Sequence, residues 1–107
     1  MVAKYNKLVR DQVPGTIRAS GRKVVTRTIH GKELLAALRA KVDEELAEYD
    51  AATSDELAVA ELADVLEVVV ALSKARGYSE VKLDEARAQK AAQRGTFDRA
   101  VLLVEVE

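Results

Sequence analysis

The sequence predicts a mainly α fold: a helical bundle of two long antiparallel helices plus a third, with a small two-stranded accessory β-sheet. Three observations predict it. Apolar residues recur at steps of three and four over two consecutive long stretches. Glycine, proline and capping residues fall where those stretches begin and end. The β-branched segments, residues 22–29 and 97–107, lie outside them. With 107 residues, of which 49% are apolar, the chain suits one domain, residues 1–107, with a modest core.

Taken in order, Pro14 precedes TIRAS and suits the first turn of a short helix that Gly21 would end. RKVVTRTI, residues 22–29, reads as a strand closed by Gly31. From Lys32 to about Ala52, residues Leu34, Leu35, Leu38, Val42, Leu46 and Tyr49 share one helical face. ATSD breaks that helix and offers Ser54 or Asp55 as the next N-cap. The second long helix runs from about Asp55 to Arg76, with Gly77 at its C′ position. Ser79 caps a third helix, EVKLDEARAQKAAQR, which Gly95 ends. FDRAVLLVEVE is again β-like, and its simplest partner is the strand at 22–29, because a lone strand leaves its backbone groups unpaired.

Composition narrows the function. Charged residues make up 33% and nearly cancel to a net −1, so no basic field points to nucleic acid. Cysteine is absent, which removes disulfides, thiolate zinc sites and cysteine nucleophiles. One histidine, His30, excludes any site needing two imidazoles, and at a strand end it reads as structural or exposed. MVAKYNKLVR lacks the unbroken apolar stretch of a signal peptide, and VLEVVVALS is too short and interrupted to span a bilayer. A cytoplasmic protein with no membrane segment is expected.

The acids stand out. EELAE at 44–48 and ELAD at 61–64 repeat a spacing of three on consecutive helices. At 100° per residue from Leu38, Glu45 lies about 20° from the centre of the apolar stripe, with Glu48 about 80° and Glu44 about 120° away. From Val65, Glu61 lies about 40° and Asp64 about 100° away, within the apolar sector of the second helix, while Glu56 and Glu67 point to solvent. A single Glu-x-x-Glu mostly marks a salt-bridged face; two such pairs set into apolar stripes on consecutive helices leave a carboxylate–metal site and a salt-bridged face both open. If the helices face each other, four carboxylates converge, and either some take up protons or a cation neutralises them. Carboxylates without histidine or cysteine select Mg²⁺ or Mn²⁺, and a Glu-x-x-His di-iron centre cannot be built.

E-E-x-x-E followed by E-x-x-D resembles the signature of the MazG-type all-α nucleoside triphosphate pyrophosphohydrolase superfamily, which includes phosphoribosyl-ATP pyrophosphohydrolases and dimeric dUTPases. YNKLVRDQVP, GRKVVTR, AELADVLEVVVALSKARGYS and QRGTFDRAVLLVEVE are similar to a small stand-alone, house-cleaning branch. That resemblance covers nearly the whole chain. It implies a MazG-like bundle in which Glu45, Glu48, Glu61 and Asp64 hold Mg²⁺, and in which Glu44 is a further ligand or handles the attacking water. Glu44, Glu45 and Glu48 are then the catalytic candidates. The implied reaction splits a nucleoside triphosphate, noncanonical ones included, between its α and β phosphates. Lys7 and Arg10, and Lys90 and Arg94 at i and i+4, are then candidate phosphate ligands, with Asn6 a weaker one. Without the resemblance, both cation pairs read as solvated faces. Asp11 more naturally braces Arg10 or caps the following helix. Gly15 after Pro14 and the alanine-rich third helix depart from the pattern and touch base recognition rather than the acids.

Two alternatives remain at this point: a phosphoribosyl-ATP pyrophosphohydrolase of histidine biosynthesis, and a non-catalytic helical binding or regulatory module. The second helix is apolar around most of its circumference, which predicts self-association, minimally a homodimer. Base, sugar and modification preferences are not written in the sequence, since Tyr5, Tyr49, Tyr78 and Phe97 are scattered.

Overall fold

The computed structural model describes residues 2–107, which form four α-helices: α1 (Val13–Ala19), α2 (Gly31–Ala51), α3 (Asp55–Ala75) and α4 (Glu80–Arg94). Pro14 sits in the first turn of α1, where its missing N–H costs nothing, and Gly21 ends the turn beyond it at φ +86°. Gly31 opens α2 rather than closing a strand. Ser54 Oγ accepts the Leu57 N–H at 3.2 Å, and Ser79 Oγ accepts the Lys82 N–H at 3.1 Å, so serine caps start both later helices. After α3, Gly77 takes φ +90° and the Tyr78 N–H reaches back to the Ser73 carbonyl, which satisfies orphan carbonyls of the last turn.

The two long helices pack against each other across the short turn Ala52–Ser54, and α4 packs on α3. Leu38, Val68 and Val70 form the buried core, flanked by half-buried Leu34, Leu35, Val42, Val65 and Leu72. The mainly α expectation holds. The accessory sheet does not: no strand forms among the described residues. Residues 22–30 have no regular structure, and Val25 is 99% exposed. Beyond α4, a turn closed by the Ala100 N–H on the Phe97 carbonyl, with Ala100 at φ +50°, consumes the first residues of the expected strand. Phe97 is 97% exposed, and Val101, Leu102, Leu103, Val104 and Val106 all face solvent. A two-stranded ribbon with no face to cover is marginal in water, so strand-like sequence alone does not bring these segments together.

Consequently, a single chain covers itself poorly. Its radius of gyration is 18.0 Å, where a packed chain of this length has about 13 Å. Its accessible surface is 9683 Å² for 11.7 kDa, against about 5,900 Å² for a packed monomer of that mass. Leu57, Val59, Leu62 and Leu66 remain exposed along α3. No helix among the described residues is long and apolar enough to cross a membrane.

Candidate metal centre

The acids of EELAE and ELAD meet because both lie near the closed end of the α2–α3 hairpin. Carboxylate oxygens of Glu45, Glu61 and Asp64 lie within 4.8 Å of one another. Glu45 is buried at 8% exposure, as its position in the apolar stripe predicts, while Glu61 and Asp64 are half-buried. Oε2 of Glu45 and Oε2 of Glu61 are buried without a hydrogen-bond partner among the described residues. Glu48 is exposed, yet its carboxylate borders both glutamates.

Burial, then the neighbouring carboxylate of Glu48, pushes the pKa of Glu45 above the ordinary value, with Asp64 adding to the rise and Lys41 opposing it. Glu61 is raised for the same reasons, burial first and Glu48 second, followed by Asp64 and Glu45. Proton uptake by one or more of the acids, or a bound cation, relieves this repulsion. Two orphaned buried oxygens on facing helices, in a set made only of carboxylates, fit a hard divalent cation.

Cations rim this cluster. Lys7 Nζ lies 3.0 Å from Glu44 Oε1, and Arg10 donates to Asp64 Oδ1 at 2.6 Å. The N-terminal segment therefore lies over the acids and ties α2 to α3. Asn6, at φ +48°, lines a cleft of about 100 Å³ with Lys7, Leu8, Lys41 and Glu44. A larger open groove beside α1 contains none of the clustered acids. Glu44 faces the rim rather than the cluster. Hydrogen bonding to Lys7 chiefly holds its pKa below the ordinary value, and Lys41 assists.

Lys41 went unrecognised in the sequence. It is only 18% exposed and lies 3.3 Å from Glu44 Oε2 and 3.6 Å from Glu45 Oε1. The signal was present: Lys41 falls about 60° from Leu38 on the helical wheel, inside the flank of the apolar stripe. Lys90 and Arg94 are not brought to the cluster. Both are exposed on α4 and make no hydrogen bond or ion pair with the acids among the described residues. Asp11 makes no side-chain hydrogen bond to Arg10, whose partner is Asp64. His30 precedes α2 as its N-cap residue, without a side-chain cap hydrogen bond.

Neither a protein-family model nor a solved structure matches this sequence. A protein of Mycolicibacterium smegmatis (strain ATCC 700084 / mc(2)155), described as uncharacterized, is 53% identical to the chain over 53 residues. The match covers 50% of this chain and 54% of that protein, so the chain spans about half the length of the curated relative it matches.

Proposed function

We propose that the chain is a Mg²⁺-dependent nucleotide pyrophosphohydrolase of MazG type, cleaving nucleoside triphosphates to a monophosphate and pyrophosphate. The observation that carries this reading is the carboxylate set Glu45, Glu61 and Asp64, two of whose oxygens are buried and unpartnered beneath a cationic rim. Those three residues, with Glu48 beside them, would hold Mg²⁺ or Mn²⁺. The ion, when bound, offsets the charge of the carboxylates and a polyphosphate and acidifies water. Lys7 and Arg10 are placed to exchange their carboxylate partners for phosphate oxygens. Moving Lys7 off Glu44 removes the main cause of its lowered pKa, so Glu44 becomes a better proton acceptor for the attacking water as substrate arrives. The large uncovered surface favours a homodimer or larger homo-oligomer as the working form.

The test is pyrophosphate release from a panel of canonical and modified nucleotides, with and without Mg²⁺. Release that needs the metal and drops roughly 100-fold or more in Glu45→Gln and Glu61→Gln is the expected result. An inert wild type across the panel, phosphoribosyl-ATP included, would favour a binding module instead.

A further inference from the structure

Two segments of the chain have strand-like sequence and no strand partner. Residues 22–29, RKVVTRTI, run between α1 and α2, exposed except for half-buried Val24 and Ile29, with Arg27 forked onto both carboxylate oxygens of Glu33 in the first turn of α2. That fork pins one end of the segment to the bundle. Residues 101–106, VLLVEV, extend past α4 with five apolar side chains in solvent. Neither segment makes a backbone hydrogen bond to the other. Rows of unpaired N–H and C=O groups beside β-branched side chains are templates for another strand.

We propose that residues 101–106 pair strand to strand with residues 22–29 of a second copy of this chain. Three observations favour this occupant. The charges are complementary: Arg22 and Lys23 make no ion pair among the described residues, and the partner segment carries Glu105, followed by Glu107. Both segments have the residue types that pack well on a pleated surface; residues 101–106 are uncovered in their own chain, and residues 22–29 are uncovered apart from half-buried Val24 and Ile29. The exposed area of 9683 Å² exceeds that of a packed monomer by about 3,800 Å², several times the roughly 800 Å² that each partner of a stable complex covers. Reciprocal exchange uses each segment once and closes a two-fold dimer. The inference rests on the self-association proposed above but fixes which surfaces meet; it is independent of the metal.

The chain has no cysteine, so engineered disulfides report without background. Val25→Cys protein is mixed in turn with Val101→Cys, Leu102→Cys, Leu103→Cys and Val104→Cys proteins and oxidised. The four positions sample both faces and a shift of register, because strand side chains alternate with period two. Cross-strand Cα atoms lie about 4.5–5.5 Å apart, within the reach of a disulfide. At least one mixed pair should give about tenfold more disulfide dimer than Val25→Cys gives with Asp43→Cys, through the raised effective concentration of paired strands. All substituted positions are exposed, and circular dichroism confirms that the variants fold. Sedimentation of the wild type separates the two readings. A dimer without any mixed disulfide overturns the strand exchange and leaves self-association standing, while a monomer at micromolar concentration overturns both. An intrachain disulfide in the Val25→Cys/Leu103→Cys double variant also overturns the exchange.

Discussion

On the side of α2 that faces the N-terminal segment, Glu44 is held by two cations, Lys7 and Lys41. On the side that faces α3, Glu45 has one 3.6 Å contact to Lys41, and Glu61 has no cation within ion-pair distance among the described residues. One residue along the chain separates the two situations, and the pKa of Glu44 goes down while that of Glu45 goes up. The difference teaches that this helix does not simply carry acids. It settles charge on its rim and leaves charge unsettled in its interior. Unsettled charge beside orphaned oxygens is the condition that a bound cation relieves.

The comparison breaks most sharply at Glu45. In metal-free protein, Glu45→Gln should raise the melting temperature, by the equivalent of about 1 kcal/mol, because a repelled buried charge is removed. In saturating Mg²⁺ the order should reverse: wild type gains about 2.7 kcal/mol at 100 times the dissociation constant, and the variant gains far less. Calorimetry of both proteins with and without metal decides it. Equal metal-induced shifts would mean that Glu45 does not hold the ion.

Acidity sharpens the same contrast. Glu45 and Glu61 have folded-state pKa values above the ordinary 4.5. For a raised acid, the contribution to stability is fully present below the unfolded value and is lost as pH rises through the folded value. Metal-free protein should therefore lose the contribution of this pair as pH climbs from 4.5 through that raised range. Glu44 runs the other way: its lowered value gives stability present above 4.5 that is lost on acidification. Saturating Mg²⁺ should flatten the loss at higher pH, and melting curves across pH with and without the metal measure both slopes.

The smallest effects lie on the rim. Lys41→Met should cost the metal-free protein about 1 kcal/mol, since its ammonium is mostly covered and serves two acids. Arg39→Ala breaks an exposed pair with Asp43, 2.8 Å apart, and should cost only about 0.3–0.5 kcal/mol. Urea titration of both variants checks the ranking. Equal costs would mean that partial burial lends Lys41 no special weight.

Much of this arrangement was legible in the sequence, because helices are local. Periodicity and caps placed α2, α3 and α4 to within a residue or so, and the wheel put Glu45 inside the apolar stripe. Whether residues 22–29 and 97–107 pair was not legible, since pairing depends on what lies beside a segment in space. The turn at 97–100 and the lack of a covering face kept them apart in one chain. The pairing of Lys41 was not legible because a lysine on the flank of an apolar stripe ordinarily carries its ammonium out to solvent, whereas here it is turned onto Glu44 and Glu45. Lys90 and Arg94 share a face of α4, but same-face spacing says nothing of what that face meets, and the structure gives them no contact with the acids.

The turn at Ala52–Ser54 has a consequence for how the molecule comes to exist. Because Glu45 and Glu61 sit on opposite sides of so short a connection, closing the hairpin is an early, local event in folding, on the microsecond scale of short-loop closure and helix growth. The acids therefore crowd together before α4 or any other chain can help. Their repulsion is met at the first step of assembly, so whatever relieves it, protons or a cation, bears on the chain while it is still finding its shape.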